Sequence, residues 1–329
     1  MKRICLLVFL VLCGSWILAQ RVTSVDAVGI TVSDMDKALH FYTQVLPFEK
    51  VSEIEVYGNE YEELKNLFGI HYRKVRLRLG SEEIELTDYL TSGGRPIPVD
   101  SKSNDLWFQH IAIVVSNMDS AYARLRKHNI VHVSTRPQTL PASIAPAAGI
   151  KAFYFQDPDG HNLELIYFPK GKGNPKWQLT KGEIFLGIDH TAIGISQTEQ
   201  SKKFYGALGV LFQGESMNYG IEQEHLNNVL GARLRITGNK AESGIGIEFL
   251  EYLSPKTGRP FPRDVKSDDI VHWETIMVTE DLDSLYEKIR SEGEVISSRI
   301  VKIPSSNYGY EKGLYVRDPD GHVIGIFEK

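Results

Sequence analysis

The chain repeats itself, and no other feature narrows its fold as far. Glu85-Leu-Thr-Asp-Tyr-Leu returns as Glu248-Phe-Leu-Glu-Tyr-Leu. Gly94-Arg-Pro-Ile-Pro-Val-Asp-Ser-Lys-Ser-Asn-Asp returns as Gly258-Arg-Pro-Phe-Pro-Arg-Asp-Val-Lys-Ser-Asp-Asp, and Asp157-Pro-Asp-Gly-His as Asp318-Pro-Asp-Gly-His. Each half is itself doubled, since Val28-Gly-Ile-Thr-Val-Ser-Asp-Met-Asp reads like His110-Ile-Ala-Ile-Val-Val-Ser-Asn-Met-Asp. An alternating strand runs into a polar cap and then a helix with apolar positions at helical spacing. Short Val-, Ile-, Leu- and aromatic-rich runs bounded by Gly, Pro, Asn and Asp follow each helix. The repeat predicts four units of one strand, one helix and three strands, at residues 26–91, 107–168, 188–253 and 271–328.

Residues 1–19 stand outside this scheme. Lys2 and Arg3 precede an apolar run from Ile4 to Leu18, with Ala19 placed for cleavage, which reads as a secretory signal peptide cut after Ala19. The competing reading, a lipoprotein cut before Cys13, is weakened by bulky Leu12. Both cysteines, Cys5 and Cys13, fall in this segment, so the exported chain, periplasmic or secreted, holds its fold by burial without disulfides. The remainder divides into domains 20–169 and 188–329, joined by a polar, Gly- and Pro-rich linker over 170–187. A net charge of -5 with 24% charged residues offers no basic footprint for nucleic acid, and the mature chain has no second apolar span. Monomer and homodimer are both compatible with the sequence.

The order of the units, the Asp-Pro-Asp-Gly turn before a Glu-bearing last strand and the Phe-Tyr pairs (Phe41-Tyr42, Phe204-Tyr205) in the first helix of each half resemble the vicinal oxygen chelate superfamily. That group includes glyoxalase I, bleomycin-resistance proteins and extradiol dioxygenases. The resemblance implies an α+β fold of four βαβββ modules forming two glyoxalase-like cups, each with a metal position on its inner wall. Its ligands would come from the first and last strands of two paired modules. Carried over, those positions are Ala27 and Glu85, His110 and Glu164, His190 and Glu248, and Glu274 and Gly325. Pairing within halves leaves both cups damaged. Pairing across halves gathers His110, Glu164, His190 and Glu248 into one intact set and confines every loss to the other cup, which is the arrangement expected of a duplicated site free to decay.

Two imidazoles and two carboxylates suit one divalent Zn, Ni, Mn or Fe ion and leave positions for a chelating small-molecule substrate. The resemblance to glyoxalase I then implies a lyase or isomerase in which the metal polarises vicinal oxygens and stabilises an enediolate while a carboxylate moves the proton. Glu164 is the first choice for that base and Glu248 the second. Two alternatives stay open: an extradiol-type dioxygenase, and a non-catalytic binding protein of the resistance type. Export argues against a glutathione adduct as substrate.

Other features carry less chemistry. Arg95 and Arg259 in the repeated loop are candidate clamps for a substrate anion, or braces between modules that pair with a downstream Asp. The Asp-Pro-Asp-Gly segments are turns, and His161 and His322 after them are expected to face solvent. The loop from Thr135 to Gly149 is long enough for a lid. Its counterpart around Tyr308 and Tyr310 carries aromatics suited to lining a cup.

Overall fold

A computed structural model describes residues 21–91 and 93–329. The leader read from residues 1–19 lies outside the described residues. Four modules follow one another as expected. The first holds β1 (Val22–Val32), α1 (Met35–His40), β2 (Glu49–Tyr57), α2 (Asn59–Lys65), β3 (His71–Leu79) and β4 (Glu82–Tyr89). The second holds β5 (Gln109–Val115), α3 (Met118–Arg126), β6 (Val131–His132), β7 (Lys151–Gln156) and β8 (Asn162–Tyr167). The third holds β9 (Phe185–Ile195), α4 (Thr198–Ala207), β10 (Leu211–Tyr219), α5 (Ile221–Asn227), β11 (Arg233–Lys240) and β12 (Gly246–Ser254). The fourth holds β13 (Trp273–Thr279), α6 (Leu282–Glu292), β14 (Glu294–Val295), β15 (Lys312–Arg317) and β16 (Val323–Glu328). The helices α2 and α5 add to the expected unit.

Caps fix where the first helix of a module begins. The Asp34 carboxylate accepts from the amides of Asp36 and Lys37, Asn117 from Ser120, and Asp281 from Ser284. Without those acceptors the first-turn amides would lack partners.

The modules pair across the halves. One sheet runs β14-β15-β16-β13-β1-β4-β3-β2, joining modules one and four. The other runs β10-β11-β12-β9-β5-β8-β7-β6, joining modules three and two. At each centre two first strands meet antiparallel, Ala27 opposite Ile276 and Ala192 opposite His110. Their flanks are parallel, Gly29 opposite Glu85 in one sheet and Ala112 opposite Glu164 in the other.

Strand alternation then sorts the side chains. Ile111, Ile113 and Val115 join Leu163, Leu165, Ile247 and Phe249 in the core beneath the helices. That core also takes in Val28, Ile30, Ile84 and Leu86 of the other sheet, so both sheets share it. His110, Ala112, Glu164 and Glu248 occupy the alternate positions, on the face away from that core.

Two repeated motifs lock the halves together. The Arg95 fork engages Asp269 at 2.7 Å and Asp264 at 2.6 Å, and the Arg259 fork engages Asp105 at 2.7 Å and Asp100 at 2.9 Å. Each carboxylate belongs to the other half, so the braces reach further than the downstream Asp of their own loop. His161 and His322 do not face solvent: they are 1% and 2% exposed. The Asp-Pro-Asp-Gly turn folds its own carboxylate inward, and the following imidazole is drawn in after it. His161 Nδ1 lies 2.9 Å from Asp157, its Nε2 donates to the Ile270 carbonyl at 2.6 Å, and His322 Nε2 donates to the Gly194 carbonyl at 2.7 Å. The Tyr42 and Tyr205 hydroxyls close the same locks on Asp157 and Asp318, each at 3.2 Å.

Candidate metal centre

The strand order that builds the second sheet also builds the site. The neighbours β5 and β9 bring His110 and His190 together, with ring centroids 5.9 Å apart. The next strands outward, β8 and β12, place Glu164 and Glu248 on opposite sides of the histidine pair. Glu164 Oε2 lies 3.2 Å from His110 Nε2 and 3.7 Å from His190 Nε2, and Glu248 Oε2 lies 3.4 Å from His190 Nε2. Ligand atoms held by bonds near 2.1 Å sit roughly 3.0–3.5 Å from each other, so the Glu164–His110 and Glu248–His190 spacings fall in the range of a coordination shell and the Glu164–His190 spacing lies just outside it. His110, Glu164 and His190 offer ligand atoms all within 4.8 Å of one another. Glu248 is the looser fourth member, with a side chain 27% exposed against 6% for Glu164.

The state of each imidazole tests the fit. His190 Nδ1 donates to Asp189 Oδ2 at 3.0 Å, and Asp189 in turn accepts from the Trp177 indole. This fixes the ring with Nε2 aimed into the site, and that buried atom has no hydrogen-bond partner. An oriented imidazole with one nitrogen tied to a carboxylate and the other left open is the arrangement metal-binding histidines adopt. Burial depresses the His110 pKa and favours the neutral ring a cation needs, although Glu164 pulls the other way. For His190 burial is outweighed by Glu248, Asp189 and Glu164, which lift its pKa to about 10. Burial, with the charge of Glu164 and Asp189, raises Glu248 to about 7 against the pull of His190. Three carboxylates thus converge on one proton-bearing ring, a charge balance suited to a cation in its place. Asp189 was not singled out in the sequence, although its position beside His190 was the available signal.

A cavity of about 370 Å³ opens in front of these residues, with Glu164 and Glu248 in its wall. Leu140, Pro146 and Ala147 of the 135–149 loop cover it, and Gln213, Ser216 and Asn218 add polar groups. Among the described residues no lysine or arginine lines it.

The other cup has the same geometry with different contents. At the equivalent positions stand Ala27, Glu85, Glu274 and Gly325, and protein cations fill the centre. The buried Lys65 ammonium pairs with Glu274, which also accepts from His272 Nε2 at 2.9 Å and from the Tyr315 hydroxyl at 2.8 Å. Lys74 pairs with Glu85 at 2.7 Å and lies 3.8 Å above the Tyr308 ring. Where the first cup has Ile236, Gly238, Ala147 and Gly149, this one has Lys74, Arg76, Tyr308 and Tyr310. The tyrosines pack with Tyr72 and Phe327 into a plug. A Cβ on Gly325 would fall 2.7 Å from both Tyr315 and Phe327, so no glutamate fits there without repacking.

Comparisons with known proteins agree with the architecture. The family model of the Glyoxalase/Bleomycin resistance protein/Dioxygenase superfamily matches residues 24–165 and 187–326. A 2-epi-5-epi-valiolone epimerase from Actinomyces sp is 31% identical over 153 residues, covering 45% of this chain and 81% of that protein. Glyoxalase I from Zea mays superposes with a TM-score of 0.58 at 16% identity, over 94% of this chain and 92% of that one. A putative dioxygenase from Bacillus subtilis gives 0.57 at 14% identity, over 94% and 86%. At such identities the two structures speak for the fold alone.

Proposed function

The chain belongs to the Glyoxalase/Bleomycin resistance protein/Dioxygenase superfamily, and from that premise we propose that it is a metal-dependent isomerase or lyase acting by proton transfer beside a carbonyl. The observation that carries this is the His110–Glu164–His190 triple, with its partnerless His190 Nε2, beside an open cavity whose wall includes Glu164 and Glu248. A divalent ion held there by the triple and Glu248 would polarise adjacent substrate oxygens and acidify the neighbouring C–H.

The residues divide the remaining work. His110, His190 and Glu164 form the tight set and hold position. Glu248, the loosest of the four and partly accessible from the cavity, is the one free to take the proton. This reverses the order drawn from the resemblance, because Glu164 is packed against both imidazoles. The two carboxylates stand on opposite sides of the histidine pair and both line the cavity, so Glu164, besides holding position, is placed to return a proton on the side opposite Glu248. That arrangement suits epimerisation, in which a proton leaves one face and returns to the other, and the epimerase relative supports that class. A cavity wall without lysine or arginine, carrying Gln213, Ser216 and Asn218, favours a neutral hydroxylated carbonyl compound over an anionic one.

The test is metal content per chain beside proton exchange. We expect about one ion per chain, lost in His110→Ala and in His190→Ala, and metal-dependent uptake of solvent deuterium next to the carbonyl of hydroxyketone probes. Oxygen consumption with a catechol in place of exchange would move the chain to the dioxygenases. No bound ion at all would leave a binding protein.

A further inference from the structure

The plugged cup keeps a cavity of its own. About 360 Å³ of space lies beside Glu274, walled by the 263–267 loop, His272, Tyr315 and Arg317. A smaller cavity of about 100 Å³ occupies the twin position in the other cup, walled by Lys102, Ser103, Phe108, Gln156 and Asn227. Residue by residue the twins differ in charge. Val99, Gln156 and Asn227 of the metal cup are replaced by Arg263, Arg317 and Lys65, while Lys102 is kept as Lys266.

The protein neutralises these cations only in part. Lys65 is committed to Glu274, and Asp264 to Arg95. Arg317, half-buried, donates only to the carbonyls of Val265 at 2.7 Å and Gly321 at 3.3 Å. Among the described residues Arg263, Lys266 and Arg317 form no close ion pair; Glu294, opposite Arg317 across the β14–β15 pair, and Asp318 act on Arg317 through their charge, and Glu294 is the one carboxylate of the wall left to offset three cations, so a positive excess remains. One buried polar atom of the same wall, His272 Nδ1, has no hydrogen-bond partner among the described residues. An atom so placed carries an uncompensated desolvation cost unless something polar meets it.

We propose that this cavity is a binding site for a small organic anion bearing a carboxylate or phosphate group. Arg317 supplies a planar fork at its base, and Arg263 and Lys266 supply attraction at its mouth. The site binds without a metal, because the position of the ion is filled by the Lys65–Glu274 pair. One module pair is therefore a candidate for catalysis and the other for sensing or carrying an anion, within one chain.

Isothermal titration of the full chain at low salt, with succinate and with inorganic phosphate in separate runs, tests this. We expect one site per chain for one of them, which also tells a carboxylate from a phosphate ligand. Arg317→Gln installs the residue that walls the twin cavity and Arg263→Val the residue at the equivalent position of the other half, and each should weaken binding at least tenfold with metal content unchanged. Absence of heat with either anion overturns the proposal, as does unchanged affinity in both variants. Loss of anion binding in His190→Ala would assign the anion to the metal centre instead.

Discussion

Asp189 shows how much of this site depends on a residue that would touch neither metal nor substrate. It holds His190 by Nδ1 and is itself held by Trp177. Removing its charge while keeping its shape, in Asp189→Asn, leaves the imidazole free to take the wrong tautomer. We expect metal affinity to drop roughly 10- to 100-fold with the fold retained, measured by competition with a chelator. An unchanged affinity would mean that strand geometry alone aims the ring. Glu274 makes the opposite case, a ligand position turned into an ion pair. Burial opposes its charge, yet Lys65 and His272 hold its pKa well below the usual carboxylate range. A depressed carboxylate contributes stability that is complete above its unfolded pKa and is lost as pH falls toward the folded one. Denaturant melts from neutral pH down through 4.5 should therefore show the wild type losing more stability than Glu274→Gln. Lys65→Met should cost about 3–5 kcal/mol at neutral pH, because it leaves that buried carboxylate without its cation and with only the His272 and Tyr315 hydrogen bonds.

At the scale of strands and loops, what separates a working cup from a plugged one is the bulk of a few side chains. Gly238 on β11 stands where Arg76 stands on β3, and a Cβ there would meet only the Gly214 carbonyl at 3.8 Å. Gly238→Arg should fold with stability close to wild type while filling the 370 Å³ cavity, giving loss of turnover with most of the metal retained. Loss of fold instead would show that the cup does not tolerate the bulk its twin has adopted. The strands and caps were legible because period-2 alternation and Asp or Asn caps are local signals. The ligand strands were legible too, since a Glu inside an apolar strand stands out wherever it faces. The plug was not: Tyr308 and Tyr310 read as aromatics fit to line a cup, and only their burial against Lys74 and Phe327 shows that they close it. His161 and His322 were misread for the same reason, because a turn motif says nothing of the neighbouring module that buries it. Asp189 and Lys65 escaped notice because their partners, Trp177 and Glu274, are set by tertiary packing.

For the whole molecule, the sequence halves are not the working units. Each sheet takes one module from each half, and its central pair, β1 with β13 or β5 with β9, is the joint between them. A fragment covering residues 20–169 would leave β1 and β5 without these partners and would hold only His110 and Glu164 of the four ligands. A fragment covering 188–329 would hold only His190 and Glu248. Self-pairing of either fragment cannot repair this, because a dimer of the first meets Ala27 and Glu85, and a dimer of the second meets Glu274 and Gly325. Neither fragment alone should bind a metal ion tightly. The two refolded together should bind about one per pair and recover proton exchange, aided by the Arg95–Asp269 and Arg259–Asp105 braces that already span the joint. Full binding by one fragment would place the site within a half and overturn the cross-half centre. Recovery only on mixing would show that duplication made the halves interdependent: with one cup losing its histidines and filling with tyrosine and lysine, the other can be completed only from both ends of the chain.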